Sequence, residues 1–231
     1  MKLELTPEDT VLAVVAHPDD MEYGASVAVA KWASEGIEVN YLLLTHGEAG
    51  ISGMEPAQTA QVRAKEPRDA CDQVGVRELT LLDFPDGLLE HGLELRKAIA
   101  GYNRRLKPSI IVTQNFDVMA PWGLNQADHR AAGLATVDAA RDAGNEWLFP
   151  ELGEKHQAKT LLIANHPEPT CGVEVSERDI ARGIASLRSH RQYLEVLPDH
   201  ASPEEIVRGA AEQGGEVAGT RYAITFASRQ L

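Results

Sequence analysis

Four ionisable residues crowd one short stretch, Ala16 to Gly24, which reads AHPDDMEYG: His17, Asp19, Asp20 and Glu22. An imidazole and three carboxylates so close together are costly to desolvate unless a cation or a substrate uses them. His17 and Asp20, three apart in a tight turn, could converge on one ion. A catalytic Zn2+ takes three protein ligands from His, Asp, Glu or Cys and leaves a position for water, so a third ligand must come from elsewhere. His129, in Gln126-Ala127-Asp128-His129-Arg130, is the best placed of the other seven histidines. Asp19 would then face the metal-bound water. Zinc lowers the pKa of that water from about 15.7 to roughly 7, and an adjacent carboxylate can take its proton as general base. The product is a hydroxide aimed at a polarised carbonyl, which is the apparatus of amide or ester hydrolysis.

The flanking sequence supplies elements that could hold these groups. Val11-Leu12-Ala13-Val14-Val15 is a short apolar run and reads as a buried strand, with a helix from Gly24 to Trp32 behind it and Gly36 as its stop. Residues 38–44 read as a second strand, making a βαβ unit with a right-handed crossover. The loop Thr45-His46-Gly47-Glu48-Ala49-Gly50 falls at the same sheet edge as HPDD. A long amphipathic helix is expected over 57–75, kinked or split at Pro67. Strand three is Leu79 to Leu82, followed by the acid-rich turn Asp83-Phe84-Pro85-Asp86-Gly87. A helix over 93–106 and strand four at Ile110 to Val112 come next. The loop Asn115 to Asn125 leads into an alanine-rich helix over 128–143, which puts His129 near a helix N-terminus, on the HPDD edge. Strand five is Thr160 to Ala164, and Val173 to Val175 suits an edge strand. Helices follow at 177–191 and 203–217, and Tyr222 to Phe226 fits helix or strand equally. The alternation predicts one domain over 1–231: an α/β fold with a Rossmann-like, mostly parallel sheet flanked by helices and with C-terminal helices. Ligands bind such folds at the carboxyl edge of the sheet.

Composition narrows the partners. The 231 residues hold 22 Lys and Arg against 35 Asp and Glu, a formal net charge of −13. That excess argues against nucleic acid, which needs a basic face, and against an anionic membrane surface. No stretch approaches the length of a membrane span. The N-terminal apolar run leads straight into HPDD and reads as core strand instead of a signal peptide. Cys71 and Cys171 lack metal-ligand spacing and read as reduced thiols of a cytoplasmic protein.

AHPDDMEYG followed by QADHRAAG resembles the LmbE/PIG-L de-N-acetylases, the N-acetylglucosaminyl deacetylase family, whose pattern is AHPDDxE near the N-terminus and a later (H)PDHxxxG. The resemblance runs over nearly the whole chain. Thr45 to Gly50 is similar to the family's loop after strand two, Arg63-Ala64-Lys65-Glu66 to its RxxE helix, Leu82 to Gly87 to its LGxxDG turn, and Leu187 to Gln192 to its HxxQ-type helix. The resemblance implies His17, Asp20 and His129 as a zinc triad, although another divalent metal is compatible, and Asp19 as general base. It also implies Arg63 and Asp86 as contacts to sugar hydroxyls. The substrate it implies is a small N-acylated amino sugar or related metabolite, with removal of the N-acetyl group; a homo-oligomer is compatible with this. Two positions depart from the pattern. Gln126 stands where many members carry a histidine assigned to a proton relay with the residue matching Asp128, and Leu124 stands near a tyrosine that stabilises the oxyanion in some members.

Plainer readings compete at several positions. Asp128 suits a helix N-cap, and Glu22 a carboxylate supporting the ligands from behind. Arg63 and Glu66 suit a surface ion pair, Asp86 a plain turn, His46 a solvated loop and His190 a satisfied helix histidine. Three other functions compete: a metal-dependent amidase on thiol-sugar conjugates or another N-acyl bond, a non-catalytic zinc-binding module, and a nucleotide-binding protein. The last is disfavoured because the first turn reads HPDD instead of GxGxxG.

Overall fold

Strand β1 (Thr10–Val15) is an interior strand, third from one edge, of a seven-stranded sheet and is buried on both faces. Its side chains alternate. Val11, Ala13 and Val15 join one apolar layer, while Leu12, Val14 and Ala16 join the other. A continuous apolar run is what a strand covered on both sides requires. The structure is a computed structural model that describes residues 2–197 and 200–231.

After β1 the chain forms α1 (Asp20–Gly24), α2 (Ser26–Ser34), β2 (Glu38–Leu43), α3 (Pro56–Arg63), α4 (Glu66–Val74) and β3 (Glu78–Leu81). It continues through α5 (Leu93–Leu106), β4 (Ile110–Gln114), the two-residue strands β5 (Met119–Ala120) and β6 (Gly123–Leu124), and α6 (Ala127–Ala143). Then come β7 (Thr160–Ala164), β8 (Cys171–Glu174), α7 (Glu177–Arg188), α8 (Arg191–Glu195), α9 (Pro203–Ala218) and β9 (Ala223–Gln230). The sheet order is β3-β2-β1-β4-β7-β9-β8. The first five strands of that order are parallel, and β9 runs antiparallel to both β7 and β8.

This arrangement is the Rossmann-like sheet expected from the alternation, and it adds detail that periodicity left open. The helix expected over 57–75 is two helices, because Pro67 opens the first turn of α4 and cannot continue α3. The tail is a strand, β9, whose Phe226 stacks on Trp32 of α2 with ring centroids 5.9 Å apart. The loop after β4 contains the β5–β6 hairpin. The helix expected to reach residue 191 ends at Arg188, and a turn at His190 redirects the chain into α8. Helices α2, α4, α7 and α9 cover one face of the sheet, and α5 and α6 the other.

The order of the strands reverses at β1 and β4, which lie side by side. A crevice opens there at the carboxyl edge, where open α/β sheets bind ligands. The HPDD turn follows β1 into this crevice, and α6 enters it after β4. Among the described residues, no helix is long and apolar enough to cross a membrane.

Candidate metal centre

His17 leaves the end of β1, Asp20 is the first residue of α1, and His129 sits in the first turn of α6. Their side chains meet. His17 Nδ1 lies 3.2 Å from His129 Nε2 and 3.5 Å from Asp20 Oδ1, and His129 Nε2 lies 3.0 Å from the same oxygen. All three residues are buried. Four donors around an ion at about 2.0–2.1 Å stand about 3.3 Å from one another in a tetrahedron, so this triangle has the edge a metal needs.

The far nitrogen of each ring is already engaged. His17 Nε2 faces Asp86 Oδ1 at 3.1 Å and Asp128 Oδ2 at 3.4 Å. His129 Nδ1 lies 2.9 Å from Asn125 Oδ1. With these far nitrogens donating, Nδ1 of His17 and Nε2 of His129 present bare lone pairs to each other and to Asp20, which is repulsive unless a cation or proton lies between them. A divalent metal therefore fits this donor set. Without one, the site holds protons. Burial opposes a charge on His17, but Asp20, Asp128 and Asp86 outweigh it and hold its pKa well above the ordinary value. His129 is raised in the same way, with burial outweighed by Asp20. Asp20 is pushed far below the carboxylate range, its burial outweighed by the two imidazoles.

Backbone groups fix the ligands further. The His17 amide donates to Asp20 Oδ2 at 2.9 Å. The side-chain amide of Gln114, at the end of β4, donates from Nε2 to the Asp20 backbone carbonyl. Asp128 accepts from Gly87 N at 2.7 Å and Leu89 N at 3.1 Å, so one carboxylate ties the turn after β3 to His17. Asp86, in that turn, also accepts from Ala49 N at 2.8 Å. The family resemblance implies Asp86 as a contact to sugar hydroxyls; its carboxylate lies against His17, and the residue also borders the cavity.

Asp19 is buried beside the triad, and its carboxylate pairs with the guanidinium of Arg63 at the end of α3. Arg63 is 2% exposed, and the Tyr193 ring of α8 covers it at 4.1 Å. Gly47 and Gly50 make room for it: a Cβ at either position would stand 2.8 or 2.6 Å from Arg63 Nη1. Arg63, expected at sugar hydroxyls, is thus committed first to Asp19. Glu22 is buried in α1. It accepts from Ser186 Oγ at 2.9 Å and lies 3.5 Å from His190 Nε2, with Glu66 on the other side of that ring. Gln126 lines the cavity, and Leu124 is 77% exposed on the hairpin.

The triad opens into a cavity of about 1020 Å³. Sequence reasoning missed three residues that shape the site: Asn125, which holds His129, and Tyr193 and Gln114, which line the cavity. Only Asn125 carried a signal, an amide four residues before His129 at a helix start.

Residues 12–140 match the family described as GlcNAc-PI de-N-acetylase, PIG-L. The chain is 33% identical to the diacetylchitobiose deacetylase of Thermococcus kodakarensis, over 92% of this chain and 80% of that protein. It is 30% identical to a protein of Bacillus anthracis named as a probable N-acetyl-alpha-D-glucosaminyl L-malate deacetylase 2, over 84% of this chain and 81% of that one. Its fold matches the N,N'-diacetylchitobiose deacetylase from Pyrococcus horikoshii with a TM-score of 0.83, at 21% identity, covering 96% of this chain and 84% of that one.

Proposed function

The chain belongs to the PIG-L family of GlcNAc-PI de-N-acetylases, and we propose that it hydrolyses the N-acetyl group of a small N-acetylglucosamine-type substrate at the His17, Asp20 and His129 centre. Residues 1–231 act as one deacetylase domain in this reading. The observation that carries it is the triangle of bare donor atoms, 3.0 to 3.5 Å on a side, opening into the cavity beside Asp19. The relatives named as deacetylases of diacetylchitobiose and of a glucosaminyl malate support the class of reaction.

Two nitrogens and one carboxylate oxygen suit Zn2+ among the divalent metals. A bound zinc supplies Lewis acidity, polarising the acyl carbonyl and lowering the pKa of water from about 15.7 to roughly 7.

The chain's own groups do the rest. His17 and His129 keep their lone pairs on the metal side because Asp86, Asp128 and Asn125 hold the opposite N–H groups. Asp19 takes a proton from the attacking water, whose oxygen adds to the acyl carbon. The same carboxyl returns the proton to the departing nitrogen as the C–N bond breaks, giving the amine and acetic acid, whose remaining proton passes to the amine to leave acetate and an ammonium group. Gln126 cannot titrate, which leaves Asp19 to act in both directions. Arg63 holds the Asp19 carboxylate in place while it does so.

Metal analysis and Asp19→Asn kinetics on N-acetylglucosaminides test this. The reading requires about one divalent ion per chain and a loss of kcat on the order of 100-fold in the variant. Metal-free protein that hydrolyses as fast as metal-loaded protein, or a variant as fast as wild type, overturns it.

A further inference from the structure

We propose that the substrate is a neutral N-acyl sugar carrying an apolar chain, and that this chain lies on a wall that α9 presents to the cavity. The proposal rests on the deacetylase reading for the reacting end and names the class of the remainder. Together with Gly214 and one polar residue, Gln213, the α9 residues Ile206, Ala210 and Val217 line the cavity. Their spacing of four and seven puts them on one helix face. The adjacent face is spent elsewhere, with Val207 and Ala211 buried in the core. Leu197 and Ile224 extend the same apolar lining, and Trp122 borders the cavity from the β5–β6 hairpin. Val217 is 61% exposed and Trp122 52%, so this apolar surface is open to an occupant.

Charge disfavours an anionic occupant. Among the described residues lining the cavity, Arg63 is the only lysine or arginine, and Asp19 already pairs with it. Three carboxylates, those of Asp19, Asp20 and Asp86, share that lining. A divalent ion at the triad brings this set to neutrality and leaves no unpaired lysine or arginine for a carboxylate or phosphate on the substrate; the other two imidazoles on the lining, His166 and His200, lie 3.7 Å from Asp117 Oδ2 and 2.8 Å from the Tyr23 hydroxyl. The chain as a whole carries −13. Like charges are rejected and apolar contacts rewarded, which is how such a pocket discriminates. The volume of about 1020 Å³ stands at the upper end of the range that encloses a drug-sized ligand, so it holds more than one sugar ring.

Because the reacting acyl group is acetyl, the apolar chain is the aglycone, and a series of longer acyl groups serves as the control: a rise in that series alone overturns this placement. Relative kcat/KM is measured for methyl, butyl and hexyl N-acetylglucosaminides, for glucosamine acylated with acetyl, butanoyl and hexanoyl groups, and for a malyl N-acetylglucosaminide. The alkyl glycoside series is expected to rise about tenfold or more from methyl to hexyl, with the malyl glycoside a poor substrate. In Val217→Asp the ratio of longest to shortest falls toward one; because the ratio is taken within each protein, loss of folded enzyme cancels. Calorimetric binding of hexyl and methyl N-acetylglucosaminide to metal-loaded Asp19→Asn gives a readout free of turnover. Tighter hexyl binding with no hydrolysis by wild type keeps the wall and removes the deacetylase reading. Flat series with equal binding, preference for the malyl glycoside, or a wild-type dimer that Val217→Asp converts to monomer without changing the ratio overturns the wall.

Discussion

The guanidinium of Arg63 rests against the carboxylate of Asp19, forty-four residues earlier in the chain, and both side chains are buried. The pair joins the end of α3 to the entry of α1. Tyr193 closes it from the α8 side, and burial together with the negative charge of Asp19 pushes the Tyr193 hydroxyl above its ordinary pKa. Arg63→Gln is expected to lower kcat on the order of 100-fold, through misplacement of Asp19, with a smaller change in KM. Steady-state kinetics check this. A variant changed in KM alone would make Arg63 a substrate contact only.

Asp86 orients His17 from the side opposite the triad. Asp86→Asn keeps an acceptor but removes the charge, so metal affinity should fall about 10- to 100-fold. Asp20→Asn or His129→Ala should abolish stoichiometric binding. Competition with a chromophoric chelator measures both, and an unchanged affinity in Asp86→Asn would count against the carboxylate's role.

His190 is fully buried between Glu22 of α1 and Glu66 of α4, with Asp19 and Arg63 beyond them. Burial opposes its charge, but Glu22 outweighs burial, and the net pKa is raised. A raised folded-state pKa adds stability in full below the unfolded value of about 6.5, and that stability is lost as pH rises through the folded value. The Tm difference between wild type and His190→Gln should therefore be largest at or below about pH 6 and narrow as pH rises above the ordinary histidine value. A difference constant with pH would show that His190 is held neutral.

Trp32 is 1% exposed and stacks on Phe226, linking α2 to the antiparallel strand β9. Trp32→Ala should cost about 3–5 kcal/mol in chemical denaturation, from lost burial and the cavity left behind. A cost below about 1 kcal/mol would mean that the layer collapses freely around the gap.

Local chemistry alone determined much of the site. The apolar run of β1, the HPDD turn and the helix opening at Asp128-His129 carry their signals within a few residues, because strand, turn and N-terminal helix patterns are short-range. His17, Asp20 and His129 were legible for that reason. What they touch was not. Asp86 and Arg63 stood in the sequence as groups for sugar hydroxyls, and Glu22 as support for the ligands. Their partners come from other strands and helices, and only the sheet order, with β1 beside β4 and β2, brings them together. The tertiary structure turned Asp86 toward His17, set Arg63 on Asp19 and drew Glu22 to Ser186 and His190. The α9 wall belongs to the same class. Its apolar spacing reads as helix, but which face meets the core and which meets the cavity depends on packing between segments far apart in the chain.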